Sequence, residues 1–385
     1  MVVTSNLLKG SPANVRGVAA CLLITLWLIN PAGSAVLPED RADILLHSYD
    51  GGGVEVYGPT LLVRKGFRNN TTSLSLRYHR DTISGASPDV VVSASPYDES
   101  RDEYGFAVDY LFQNSQMSLG YTRSDESDYE ANALNVGVSH EVFGAMTTVD
   151  LGFTRNFDTV SRSDGAGFGE DAVTTADIDR FQYRVGISQV ITTTLLANLS
   201  YEAILDDGFL NSPYRFARVQ GALVPERYPG TRTSHAVAVK ARKYWQPRSS
   251  GYLGYRYFTD TWDIGAHTLE IGYSRYFTSR WLADFYYRYY TQDQASFYSD
   301  NFEQALNFVA RDKELSSYSA HTFGTKFSYE AFDSIERYRL GRGTLNLSLE
   351  LMRFDYDNYT DLSVGDTGAY SFDAASLHFF FSVLY

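Results

Sequence analysis

At 385 residues the chain is too long for a minimal domain, and could hold one large barrel or two soluble domains. It carries 46 acidic against 33 basic residues, a net charge of −13, which makes nucleic acid a poor partner. A single cysteine excludes a disulfide framework, and 10 prolines with 30 glycines argue against a Pro/Gly-rich disordered chain.

The chain opens on an export signature. Lys9 and Arg16 give a basic start, Val18 to Ile29 is apolar, and Ala32-Gly33-Ser34-Ala35 offers small residues for cleavage. The apolar run falls short of the roughly 20 residues a spanning helix needs. A cleaved signal over 1–35 and a mature chain over 36–385 are therefore expected. Val18-Ala19-Ala20-Cys21 loosely resembles a lipoprotein box, yet the apolar run continues past Cys21 where such a box should end it. Cys21 goes with the signal, so the mature chain has no thiol. It keeps 31 basic against 46 acidic residues, a balance of −15.

Beyond Arg41 no segment has the period of an amphipathic helix, and alternation of period two recurs. Arg41–Tyr49 and Val54–Lys65 are the first two expected strands, parted by Gly51-Gly52-Gly53, with Gly58-Pro59 interrupting the second. Further along, Leu134, Val136 and Val138 alternate with Asn135, Gly137 and Ser139. Val149, Leu151 and Phe153 alternate with Asp150, Gly152 and Thr154, and Phe181, Tyr183, Val185 and Ile187 with Gln182, Arg184, Gly186 and Ser188. Leu345, Leu347, Leu349 and Leu351 alternate with Asn346, Ser348 and Glu350. Strands with charge on one face need lipid or a core on the other. A composition of 15% aromatic residues, mostly 30 Tyr and 24 Phe, fits strands and a membrane–water edge. A slightly negative mean hydropathy fits strands that hide apolar residues in alternation.

Short turns are expected near 66–70, 113–115, 144–146, 191–192, 245–249 and 278–280. Long polar loops are expected near 83–102, 158–177, 206–231, 292–316 and 358–370. Their alternation is that of a barrel with short periplasmic turns and long external loops; 331–341 is long where a short turn is due. The count is about sixteen strands, or fourteen if the first pair lies outside the wall, with both chain ends in the periplasm. The last strand places Leu377, Phe379, Phe381, Val383 and Tyr385 on one face and ends on an aromatic residue. That pattern looks like the carboxy-terminal targeting strand read by the outer-membrane insertion machinery. An all-β, antiparallel up-and-down transmembrane barrel in a bacterial outer membrane is the expected fold and place.

Five segments stand in a recognisable order: Tyr49-Asp50-Gly51-Gly52-Gly53-Val54, Ser124-Asp125-Glu126-Ser127-Asp128-Tyr129-Glu130-Ala131-Asn132, Asp206-Asp207-Gly208-Phe209-Leu210-Asn211-Ser212-Pro213-Tyr214-Arg215, Pro225-Glu226-Arg227-Tyr228-Pro229-Gly230-Thr231-Arg232 and Arg311-Asp312-Lys313-Glu314-Leu315-Ser316. Together they resemble the domain-of-unknown-function 3570 family of Gram-negative outer-membrane barrels, from about Leu37 to Tyr385. The resemblance implies shape and compartment, and supplies no substrate or catalytic residues.

If apolar faces meet lipid, the lumen receives their partners: Arg77, His79, Asp109, Glu141, Asp150, Arg184, Glu202, Lys240, Arg242, Arg256, Glu270, Asp284, Arg288, Lys326, Glu330 and Glu350. Charged rings would tune a water-filled channel; ion pairing in a narrow or plugged barrel is the other reading. In the loop 206–231, Asp206 and Asp207 with Arg215, Arg218, Arg227 and Arg232 are candidates for a constriction, against a plain external loop fixed by its prolines. Asp125, Glu126, Asp128 and Glu130 invite calcium but lack EF-hand spacing. The seven histidines are scattered singly, so no zinc site is expected. His321 lies near Ser319 and Glu314, and His267 near Asp260 and Asp263, but these are proximities in sequence only, without Gly-x-Ser-x-Gly. The expected function is a channel or transporter for small polar solutes, with lipid and the insertion machinery as partners and no cofactor. A plugged barrel docking a periplasmic or surface partner is the alternative, and a membrane-embedded hydrolase the third.

Overall fold

The computed structural model describes residues 35–68, 70–85, 97–162, 164–169, 171–335, 340–363 and 368–385. The expected export signal lies outside these residues, apart from its last residue, Ala35. The wall begins with β1 (Arg41–Gly51), β2 (Val54–Phe67), β3 (Thr72–Gly85), β4 (Tyr97–Phe112) and β5 (Ser115–Asp125). It continues through β6 (Tyr129–Val142), β7 (Thr147–Ser161), β8 (Thr175–Thr192) and β9 (Leu195–Gly208). A hairpin of β10 (Phe216–Val219) and β11 (Ala222–Pro225) stands apart as its own small sheet. The wall resumes with β12 (Thr231–Trp245), β13 (Ser249–Asp260), β14 (Gly265–Tyr276) and β15 (Trp281–Gln292). It ends with β16 (Tyr318–Phe332), β17 (Gly343–Thr360) and β18 (Ala369–Leu384). All but the hairpin close into one antiparallel barrel of sixteen strands.

The first strand decides that number. β1 pairs with β2 on one side and with β18 on the other, from Arg41 opposite Leu384 to Gly51 opposite Ala374. The first and last strands therefore meet, and no sheet edge is left in the wall for lipid to desolvate. Gly58-Pro59 does not expel β2 from the wall. β2 keeps its pairing with β1 there and loses only the two positions facing β3, where proline has no N–H to give. The β3 backbone presses in at this point: a Cβ on Gly58 would lie 1.7 Å from the carbonyl oxygen of Arg80.

Strands run from 11 residues in β1 to 18 in β8 and β17, whereas a tilted strand crosses a bilayer in about 9–11. The surplus projects beyond the bilayer at the end away from Arg41 and Leu384. For this reason the margins of the expected loops 83–102, 158–177 and 206–231 belong to β3, β4, β7, β8, β9 and β12, and the loops are shorter than expected. Loop sizes alternate less strictly than expected, because 52–53, 126–128 and 261–264 are short connections at the long-loop end. The connection 333–342 stays long at the short-turn end.

The two faces of the wall are easy to tell apart. One carries Leu46, Leu76, Leu119, Leu151, Leu199, Leu253, Phe323 and Leu351, each half or more exposed, up to 62% at Phe323. Such a surface is stable only against hydrocarbon. At the terminal end it is rimmed by Phe67, Phe112, Trp245, Phe277, Trp281 and Tyr385, all exposed. Near the other end it carries Tyr57, Tyr104, Tyr121, Tyr201, Tyr255 and Tyr257. Two aromatic belts of this kind mark the bilayer interfaces. On the opposite face side chains bond across an intervening strand, as Lys240 of β12 does to Glu270 of β14 at 3.1 Å. Contacts that skip a strand close on the concave side, so this face is the lumen.

Candidate functional site

All the charged residues expected to line the lumen stand on the inward face, and register brings several opposite charges together. Arg184 stands opposite Glu202, Glu270 opposite Arg288, and Asp284 opposite Lys326. Glu202 receives Arg184 at 3.2 Å and Arg256 at 3.7 Å, and Arg77 reaches Glu103 at 2.5 Å. The aromatic residues join in. Lys240 and Arg242 lie over the ring of Tyr252 at 3.9 and 4.8 Å, Lys326 over Phe380 at 5.2 Å, and Tyr286 hydrogen-bonds Glu350. Asp109 is buried beside Gln116, Asp150 packs against Gly186, and Glu330 bonds to Asp333 at the terminal end. Glu141 also has a partner. A cavity of about 480 Å³ opens along the wall from β12 to β17, bounded by Lys240, Arg256, Glu270, Arg288, Tyr290 and Tyr318.

Above this wall the loops 209–230 and 293–317 fold together into a cap. Ala217, Phe302 and Val309 form one small core; Trp262, Ile264, Ala295, Phe297, Tyr298, Ala310 and Leu315 form a second. Backbone hydrogen bonds join the two loops. Gln220 donates to Phe302 at 2.8 Å and Arg227 to Val309 at 3.0 Å, while Val309 donates back to Arg227 at 2.9 Å. Glu226, only 4% exposed, accepts from the Arg311 amide at 2.6 Å and from the Tyr228 hydroxyl at 2.7 Å. Burial, and then the Glu226 carboxylate, push the Tyr228 phenol well above its ordinary range. The Arg311 guanidinium holds Asp300 at 2.8 Å and the carbonyl of Thr360 at 2.5 Å, and it lies over the ring of Tyr359.

The cap reaches opposite walls. At one end Tyr214 bonds Asp128 in the turn from β5 to β6, and Arg162 donates to the Pro213 carbonyl at 3.2 Å. At the other end Tyr298 donates to the Asn358 carbonyl at 3.0 Å and Thr360 to Asp300 at 2.6 Å, both at the end of β17. β6 and β17 lie on opposite sides of the ring of strands, so the cap bridges the mouth.

Of the six residues expected to form a constriction, only Arg215, Arg218 and Arg227 are in the loop. Asp206 and Asp207 belong to β9 and Arg232 to β12, because the strands outrun the bilayer. Arg180 pairs with Asp206 at 2.5 Å, and Arg232 pairs with a buried Asp260 at 2.5 Å. Arg215 bonds Asp312, Arg227 donates to the Leu306 carbonyl at 2.6 Å, and the Arg218 carbonyl accepts from Phe302 at 2.8 Å. Arg215 and Arg227 thus knit the cap together through their side chains and Arg218 through its backbone.

The hydrolase-like proximities do not assemble. His267 and His321 face outward, hydrogen-bonded to Tyr255 and Tyr287, each at 2.7 Å, while Asp260 serves Arg232. A third outward pair, Tyr201 with His235 at 2.8 Å, repeats the arrangement, so these histidines belong to the aromatic belt. One Ser–His contact does occur on neighbouring strands: Ser115 Oγ lies 2.8 Å from His140 Nδ1. Among the described residues no carboxylate or amide bonds the other nitrogen of that ring.

Sequence spacing missed a different cluster. His47, His79 and Asp81 converge on the inner wall with their donor atoms all within 4.8 Å of one another, and the His378 ring lies 6.4 Å from that of His47. His47 sits on β1 and His79 and Asp81 on β3, gathered across β2 by two successive hairpins, while barrel closure brings in only His378 on β18. The registers of β1 on β2 and of β2 on β3 were the signal that could have revealed the first three. Glu99, Glu126 and Asp128 form a second group of acids, two of which lie in the 126–128 turn.

A family model described as "Protein of unknown function (DUF3570)" matches residues 89–340. Among solved structures, a bacterial polysaccharide outer-membrane secretin is similar with a TM-score of 0.50 at 7% identity, over 90% of this chain and 99% of that one. OpdK of Pseudomonas aeruginosa has a TM-score of 0.43 at 11% identity, over 89% and 98% of the two chains. OccK8 (OprE) of the same organism has 0.44 at 8%, over 91% and 100%. At these identities the likeness is one of fold. No curated protein matches the chain.

Proposed function

We propose, for a chain that belongs to the DUF3570 family of proteins of unknown function, that it lies in a bacterial outer membrane and passes small polar solutes through its lumen. The observation that carries this reading is the circumference. Sixteen strands make a barrel wider than its inner side chains can fill, and such barrels hold an aqueous channel. Acids and bases of both signs line the inner wall, which suits hydrated polar solutes and disfavours apolar ones. The bridging cap narrows the entrance and limits passage to small molecules. Its stiffness comes from its own cores and from Arg311, which ties Asp300 to the end of β17.

Planar-bilayer recording of the purified barrel is the test. Discrete conductance steps are expected, and Arg311→Ala, which unlatches the cap, should enlarge them. A heat-modifiable, folded barrel that stays silent in every lipid and salt would overturn the channel reading in favour of a docking platform.

A further inference from the structure

We propose that His47, His79 and Asp81 form a binding site for one borderline divalent transition ion, of the zinc class, on the inner wall of the barrel. The site does not depend on the lumen being open.

Three strands build it around a gap. Gly58 of β2 stands opposite His47 of β1 in the register of that pair. On its other side it falls where the β2–β3 pairing is interrupted, level with Asp81. With no side chain between them, His47 Nε2 reaches Asp81 Oδ1 at 2.7 Å across the intervening strand. His79 Nε2 comes to the same oxygen at 3.0 Å, its ring stacked on that of His47 at 5.0 Å. Thus two imidazole nitrogens and one carboxylate oxygen gather within 4.8 Å of one another. A tetrahedral zinc with bonds of about 2.0 Å spaces its donors by roughly 3.3 Å. To admit it the two nitrogen–oxygen separations would open by about 0.6 and about 0.3 Å.

The surrounding groups hold the donors as outer partners of a metal site do. Thr60 Oγ1 lies 2.6 Å from His79 Nδ1; when the hydroxyl accepts from Nδ1–H, the lone pair stands on Nε2, the tautomer a metal requires. Arg101 holds the second oxygen of Asp81 at 2.9 Å. The Asp81 side chain is only 8% exposed, so it is fixed before any ion arrives. Two nitrogens among three donors exclude the hard ions calcium and magnesium and suit zinc, copper, nickel or cobalt.

The test uses the full-length barrel in detergent, stripped with a chelator and dialysed against zinc. One zinc per barrel is expected. His79→Gln and Asp81→Asn should each weaken binding about tenfold or more, while His267→Gln, in the outer belt, should leave it unchanged. Cobalt-loaded wild-type protein should show the intense visible absorption of a tetrahedral ion, a readout that needs no variant to fold. Absence of stoichiometric zinc, a weak octahedral cobalt spectrum, His79→Gln binding like wild type, or displacement by an equal concentration of calcium would each overturn the proposal.

Discussion

His47 of β1 stands directly opposite His378 of β18, so residues from the two ends of the chain meet on the inner wall at the seam. The seam is fastened at its lower end as well. The Tyr385 amide donates to the Asp40 carbonyl at 3.2 Å, and its hydroxyl donates to the Arg64 carbonyl at 3.0 Å. Lys65 lies 4.9 Å over its ring and reaches Asp40 at 2.5 Å. Burial acts to raise the Asp40 carboxyl, but the Lys65 ammonium and the Gly66 amide together hold it below its ordinary value.

Tyr385→Ala removes one hydrogen bond and one cation–ring contact, at a cost of about 1–2 kcal/mol in all. Tyr385→Phe keeps the ring and should lose about 1 kcal/mol or less. Urea unfolding in micelles or vesicles measures both. Equal losses for the two variants would show that the ring contact contributes nothing.

Adjacent positions on β17 should differ sharply. Leu349 points outward, whereas Ser348 points inward and donates to the Thr325 carbonyl at 3.3 Å. Leu349→Arg places a charge in hydrocarbon, costing about 2–4 kcal/mol near the midplane. Ser348→Arg puts the same charge in the lumen and should cost well under half of that in the same unfolding experiment. A reversed order would mean that the faces are assigned the wrong way round.

The faces were legible in the sequence because alternation has a fixed period: once Leu349 is outward, Glu350 is inward. The strand total was legible up to β2, where Gly58-Pro59 left two counts open. Only the pairing of β1 with both neighbours decides between them. Loop margins were not legible, since the polarity that marks a loop also marks strand surplus standing in water, as at Asp206 and Arg232. The cap and the His47–His79–Asp81 cluster were hidden for a third reason. Their contacts, such as Val219 with Phe302 and His47 with Asp81, join segments that no local period relates.

Two rings lie over bare glycines on the inner wall. A Cβ on Gly324 would fall 2.0 Å from the Tyr286 ring, and one on Gly272 would fall 2.3 Å from that of Tyr252. The Tyr286 hydroxyl then reaches over β16 to Glu350 on β17. Gly324→Val should lift the ring, break that bond and cost about 1–3 kcal/mol. Tyr286→Ala should relieve most of the clash, so the double variant should be more stable than the sum of the two losses. Strict additivity in unfolding free energy would show that the ring does not rest on the glycine.

Two loop carboxyl groups should respond to acid in a direction opposite to a third. Burial, and then the charges of Glu99 and Asp128, raise the Glu126 carboxyl above its ordinary value, although Arg101 opposes this. Burial, and then Glu99, raise Asp128 despite its bond from the Tyr214 hydroxyl. A carboxyl whose folded value exceeds its unfolded value of about 4 stabilises the fold fully below that value and loses this contribution as pH rises through the folded one. Mild acidification should therefore tighten the 126–128 turn and the end of the cap resting on it. Asp164 runs the other way, since the Arg162 guanidinium and then the Ala166 amide lower it to about 2. Its contribution is complete above about 4 and is lost only as pH falls towards 2. Carboxyl-carbon NMR of labelled protein should find Glu126 and Asp128 titrating above, and Asp164 below, the ordinary range. Glu99→Gln should bring the first two down and leave Asp164 in place. If Glu126 and Asp128 do not move, like-charge repulsion within the cluster is not what raises them.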